Sequence, residues 1–291
     1  MNAFWNRLAG ATLMLALMST AWAGVEWPRV AESFDGVPIS YEITGEGEPA
    51  LVFIHGWSCD ARYWRAQVPH FSSDHQVISI DLAGHGHSGL ERENYTMAAF
   101  GADVKAVLDD ADIQEAILIG HSMGGPVSVA AAKLMPERVI GIVGVDTFQN
   151  VGQSMSEEEV EAWMGPLRAD FRHGASQFVP GMFIEDTDAE LRDWVVADMS
   201  AAPPEVALSA MQNMLADITS GQALSAFSGL DVPVVAINAD IWPSDPEANR
   251  RHQPRFDAVI MENTDHFLHM AEPEAFNREL RAVIARLTES R

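Results

Sequence analysis

The segment Gly120-His121-Ser122-Met123-Gly124-Gly125 sets a serine between glycines two residues before and two residues after it. It follows the apolar run Ala116 to Ile119 and precedes a run rich in Ala and Val, so Ser122 falls at a strand-to-helix turn. A backbone bent that sharply tolerates only small residues at those two flanking positions, and it lifts the serine hydroxyl into the open. This is what a nucleophilic serine requires. The same turn puts the Met123 N–H at a helix N-terminus, where it can stabilise a developing oxyanion.

A serine hydroxyl is a weak nucleophile at neutral pH and needs a base. Among the ten histidines, His266 stands five residues past the apolar run Phe256 to Met261 and just before the terminal helix. Loops at the C-terminal ends of parallel strands share one edge of the sheet, where ligands of open α/β sheets bind. The base needs a carboxylate to orient it. Asp240, after the run Val232 to Asn238, is the first candidate; Asp146, after Val139 to Val145, and Asp245 are alternatives. The loop His55-Gly56-Trp57 is expected to bring a second oxyanion donor, the Trp57 N–H. His269 reads as a surface or packing histidine and Cys59 as a small loop residue.

These residues need a scaffold, and its elements are legible as short runs. Arg29 to Phe34 and Val37 to Ile43 read as strands joined by the hairpin signal Asp35-Gly36. Ala50 to Ile54, Gln76 to Ile80, Ala116 to Ile119 and Val139 to Val145 are apolar strands; Ala61 to Val68, Met97 to Leu108 and Gly124 to Leu134 have helical spacing. The alternation resumes with Val232 to Asn238, a short helix at Glu247 to His252, Phe256 to Met261 and a helix from Pro273 to Leu287. Fully apolar strands alternating with helices predict an α/β fold, a mostly parallel doubly wound sheet covered on both faces. Between residues 150 and 228 the alternation stops. Helical segments Ser156 to Asp170, Asp188 to Met199 and Glu205 to Ile218 predict an inserted helical cap, with a capping box at Ser156 and Glu159. The core domain is then 24–149 with 229–291.

The 291 residues carry 18 Lys and Arg against 42 Asp and Glu, a net charge of -24 that repels phosphate backbones and argues against nucleic acid as a partner. Residues 1–23 read as a signal peptide: Arg7, the apolar run Leu8 to Met18, and an Ala21-Trp22-Ala23 cleavage site. The run is shorter than the roughly 20 residues a span needs, so the expected product is exported, periplasmic or secreted, without stable membrane insertion. Cys59 is the one cysteine, so no internal disulfide forms. His85 and His87 have a metal-like spacing, but no Cys or Glu cluster supports it. No cofactor is expected.

Taken with their order, His55-Gly56-Trp57, Asp81-Leu82-Ala83-Gly84-His85-Gly86-His87-Ser88, Gly120 to Gly125, and His266-Phe267-Leu268 before Glu272-Pro273 resemble the α/β-hydrolase fold superfamily. The resemblance covers residues 30 to 150 and 230 to 290. It implies a nucleophile, acid and base in the order Ser, Asp, His, a cap after the sixth strand, and a structural role for the Asp81 loop. One departure is the stretch Asn238-Ala239-Asp240, where relatives usually begin the acid loop with Gly. Epoxide hydrolases and haloalkane dehalogenases of this fold carry Asp at the nucleophile turn, so Ser122 points instead to acyl transfer. The expected activity is hydrolysis of a small-molecule carboxylic ester through an acyl-enzyme. Lactone, thioester or carbon–carbon bond hydrolysis, and a non-catalytic binding protein, are the alternatives.

Overall fold

In a computed structural model, which describes residues 28–289, eight strands form one sheet. They are β1 (Arg29–Glu32), β2 (Pro38–Thr44), β3 (Ala50–Ile54), β4 (Val77–Ile80), β5 (Ala116–His121), β6 (Val139–Val145), β7 (Val234–Ala239) and β8 (Phe256–Met261). Their spatial order is β1-β2-β4-β3-β5-β6-β7-β8. Strands β4 to β8 run parallel with β3, while β1 and β2 add an antiparallel edge. The signal peptide expected over 1–23 lies outside the described residues.

The parallel strands are mostly apolar because both faces of the central sheet are covered; β3 is apolar and buried throughout, whereas the edge strand β8 carries Asp257 and leaves Ile260 exposed. In β3, Leu51 and Phe53 face one core with Trp64 and Phe71, while Val52 and Ile54 face the other with Phe100 and Val104. The helices are α1 (Val68–Phe71), α2 (Met97–Asp110), α3 (Gly124–Leu134), α4 (Glu157–Ala169), α5 (Phe171–Phe178), α6 (Ala189–Met199), α7 (Pro204–Thr219), α8 (Gln222–Ser228), α9 (Pro246–His252), α10 (Leu268–Ala271) and α11 (Pro273–Glu289). Helix α11 buries Phe276, Leu280, Val283, Ile284 and Leu287 against the sheet, each worth about 2 kcal/mol by transfer from water.

The helix expected over Ala61 to Val68 is two pieces, a 3₁₀ turn at Ala61–Trp64 and then α1. Asp60 caps the first by accepting from Arg62 N–H at 2.8 Å, and Pro69 lies in the first turn of the second, where its missing N–H costs nothing. The capping box at Ser156 and Glu159 is present at the start of α4. Helices α5 and α8 are additional to the expected set; Asp170 starts α5 by accepting from His173 N–H at 3.0 Å.

Helices α4 to α8 all fall between β6 and β7. Long-range polar contacts bind them to the sheet domain: Trp57 Nε1–H donates to Ala207 O at 2.7 Å, Tyr95 N–H to Ser209 Oγ at 3.1 Å, and Arg62 bridges Asp60 and Asp198 at 2.6 Å each. Of the insertion's large apolar residues, Met164, Phe171, Met199 and Met211 are buried in the core, whereas Trp163 is exposed.

Candidate active site

Ser122 follows β5 directly, with φ at +51°, a left-handed conformation that side-chain-bearing residues seldom adopt. Its N–H donates to Val145 O at 2.9 Å, and its carbonyl accepts from Gly125 N–H at 2.9 Å. The flanking glycines are there for space. A Cβ on Gly120 would lie 2.1 Å from Gly124 O, and one on Gly124 would lie 2.4 Å from Ile54 O. Both collisions are with backbone, which cannot move aside. His121 is buried while Ser122 is partly open to solvent.

His266 sits on the loop between β8 and α10, and its Nδ1 lies 2.5 Å from Asp146 Oδ2. Asp146 is 2% exposed, and its other oxygen accepts from Ala239 N–H at 2.9 Å. A carboxylate only accepts, so in neutral His266 the proton is on Nδ1 and Nε2 keeps its lone pair, the tautomer a general base requires.

This corrects the sequence expectation for the acid. Asp240 is exposed and accepts instead from the N–H groups of Asn263 at 3.0 Å and Thr264 at 3.2 Å. Those two donors, the Asn263 bond foremost, hold its carboxyl below the usual carboxylate range. Asp240 therefore ties down the loop that leads to His266. Asp245 caps α9 by accepting from Ala248 N–H at 2.9 Å. Asp146 and Asp240 occupy equivalent places one residue beyond neighbouring strands, so local pattern did not separate them.

The two expected oxyanion donors flank the serine. A Cβ on Gly56 would lie 3.2 Å from Ser122 Cβ, so the loop after β3 rests directly on the nucleophile turn. Among the described residues the N–H groups of Trp57 and Met123 donate to no other group, and Met123 stands at the N-terminus of α3.

The alpha/beta hydrolase family model matches residues 51–279. The chain belongs to that family. A dihydrolipoyllysine-residue acetyltransferase component of an acetoin cleaving system from Pseudomonas putida is 26% identical over 259 residues, 84% of this chain. The chain spans 65% of that relative's length, just under two thirds. The 3-oxoadipate enol-lactonase 2 of Acinetobacter baylyi is 27% identical over 264 residues, 86% of this chain and 94% of that protein. In fold, an esterase from Thermogutta terrifontis is similar with a TM-score of 0.77, at 23% identity over 90% of this chain and 99% of that one.

In this alpha/beta hydrolase the Trp57 indole, 3% exposed, packs edge-on to Phe171 and Phe178 and so serves to seat the insertion. Asp81 accepts from Ala61 N–H and His87 N–H, both at 2.9 Å, which ties its own loop to the turn after β3. Cys59 is buried, and that burial pushes its thiol well above the ordinary value, so it is no nucleophile. Among the described residues no group of three or more His, Cys, Asp or Glu is placed to hold a metal ion.

His269 is a core residue, packed between the tilted rings of Trp64 and His121 at centroid distances of 4.5 and 4.6 Å. Burial, with His266 nearby, pushes its pKa down to about 3, and burial beside His55 does the same to His85. The unfolded chain takes up protons at both positions below about pH 6.5, and the folded chain does not. Their contribution to stability is therefore complete above about pH 6.5 and is lost as pH falls towards 3. Urea midpoints measured from pH 8 to pH 4 are expected to decline below pH 6.5. The His269 ring makes no hydrogen bond among the described residues, so His269→Leu is expected to flatten that decline. An unchanged slope in the variant would refute this assignment.

Proposed function

We propose that the protein is a serine hydrolase of carboxylic esters that works through an acyl-enzyme, with Ser122 as nucleophile, His266 as base and Asp146 as the orienting acid. The observation that carries this reading is the 2.5 Å contact of His266 Nδ1 with buried Asp146, set beside a serine held at positive φ on the neighbouring strand end. His266 Nε2 takes the Ser122 proton as Oγ bonds to the ester carbonyl carbon. The Trp57 and Met123 N–H groups receive the oxyanion, each donor worth about 3 kcal/mol in the transition state. Collapse breaks the carbon–oxygen bond of the ester, and His266 hands its proton to the departing alcohol. Water, deprotonated by His266, then cleaves the acyl-enzyme, and Asp146 stabilises the imidazolium in both halves.

A lactone is a cyclic ester and passes through the same steps, and the enol-lactonase relative supports it as a second substrate class. We further propose that the chain is exported and cleaved after Ala23, which N-terminal sequencing of the mature protein tests.

The activity is tested with p-nitrophenyl esters from acetyl to palmitoyl, beside a simple lactone and a fluorophosphonate probe read by intact mass. The expected result is stoichiometric labelling on Ser122 and turnover of short and medium acyl chains. Labelling without ester or lactone turnover would move the reading to thioester or carbon–carbon bond hydrolysis. A folded protein that neither labels nor turns over would make it a binding protein.

A further inference from the structure

His266 is gripped from three directions, and one of them is the helical insertion. Asp146 holds its ring. His121, neutral because burial pushes its pKa well below the ordinary value, donates from Nε2 to the His266 carbonyl at 2.8 Å. The His266 N–H donates across to Met182 O, in the insertion, at 3.1 Å.

Beyond that bond the same stretch of the insertion reaches the residues on both sides of the base. Phe183 stacks on Phe267 with ring centroids 5.1 Å apart and planes inclined by 21°. Thr187 Oγ1–H donates to Asp265 Oδ2 at 2.6 Å. Asp265 is 1% exposed, and its other oxygen accepts from Phe267 N–H at 2.7 Å, a local ring closed around the His266 backbone. Burying a carboxylate is costly unless its oxygens are bonded. Here one bond comes from its own loop and the other from Thr187. Thr187 is itself anchored, since the next residue, Asp188, caps α6 by accepting from Leu191 N–H at 2.9 Å.

Resting on the serine-hydrolase reading above, we infer that Thr187 and Asp265 are positioning residues: through this pair the insertion sets the backbone of the base loop and hence the approach of His266 to Ser122. Proton transfer between base and nucleophile is steeply sensitive to placement, and an error of about 1 Å costs on the order of a hundredfold in rate. Losing the Thr187 hydroxyl leaves a buried Asp265 oxygen unbonded, and the loop then relieves it by shifting outward.

The test compares Thr187→Val, which keeps the shape, with Thr187→Ser, which keeps the hydroxyl. It adds Asp265→Ala and the Thr187→Val/Asp265→Ala pair. Thr187→Val is expected to lower kcat about tenfold with KM within about twofold, and Thr187→Ser to restore it. Once Asp265 is gone the hydroxyl has no partner, so the double variant is expected to be no slower than Asp265→Ala alone.

A second readout does not depend on turnover: the low-field proton resonance of His266 Nδ1–H, assigned by its loss in Asp146→Asn. It is expected to shift or broaden in Thr187→Val and to stay in place in Thr187→Ser. Wild-type kcat and resonance in Thr187→Val, a Thr187→Ser as impaired as Thr187→Val, or single effects that multiply would each overturn the inference. If the wild type hydrolyses no ester or lactone, the proposed function falls. The resonance then decides the positioning role by itself.

Discussion

Asp146→Asn is expected to lower kcat on esters about 10⁴-fold, while Asp240→Asn leaves kcat within about twofold of wild type. The structure says why an isosteric change is so damaging. In the Asp146→Asn variant the amide oxygen would keep the Ala239 N–H that Asp146 Oδ1 now accepts. That choice turns the new NH₂ towards His266 Nδ1, which must then accept. The ring proton moves to Nε2, and the base has no lone pair for Ser122. The imidazolium also loses the carboxylate that its Nδ1–H contacts. Among the described residues Asp240 accepts from two loop N–H groups at the surface, one on each oxygen; an Asn keeps one of these bonds with its amide oxygen, and the other N–H turns to water. Steady-state kinetics of the two variants side by side decide the matter. A severe loss in Asp240→Asn with a mild one in Asp146→Asn would reverse the assignment of the acid.

Ser122→Ala is expected to reduce kcat by roughly 10⁶-fold and to abolish fluorophosphonate labelling, because the nucleophile and its base act as a unit. The fold should hardly register the change. The turn is built by the Ser122 N–H to Val145 O bond and by the space Gly120 and Gly124 leave, none of which involves the hydroxyl. A melting temperature within a few degrees of wild type is therefore expected beside the lost turnover. Hydrolysis at the wild-type rate by the folded variant would remove Ser122 from the mechanism. Loss of turnover with retained labelling would place the reactive hydroxyl elsewhere.

Much of this molecule was legible in short stretches of chain. Apolar runs such as Ala50 to Ile54 and Val139 to Val145 can only be strands covered on both faces, and they are. The Asp35-Gly36 turn, with Gly36 at φ +85°, and the Ser156–Glu159 capping box are decided within four residues, so local chemistry suffices to read them. The serine turn is legible from its glycines, although only that at Gly120 is required by the turn itself, through Gly124 O; the one at Gly124 is required by Ile54 O of β3. Two short elements escaped. Helices α5 and α8 are eight and seven residues long, and the apolar face of α5, Phe171, Ala175 and Phe178, runs for little more than two turns, too short a stretch to establish a period.

The sequence by itself determined the layered α/β architecture and the place of the helical insertion, and it singled out Ser122 and His266 as candidates. Only the tertiary structure decided which carboxylate meets the base. Asp146 and Asp240 both follow apolar strands by one residue, and hydrophobic pattern repeats along a strand without recording which neighbour a distant loop will touch. The path of residues 262 to 266 across the sheet edge settles that. It carries His266 over the end of β6, next to the serine strand β5, and leaves Asp240 to tie the loop's backbone from outside. The same holds for Trp57 reaching Ala207 and Thr187 reaching Asp265, contacts spanning 150 and 78 residues. Such pairings depend on how separate elements pack, and no spacing within either segment encodes them.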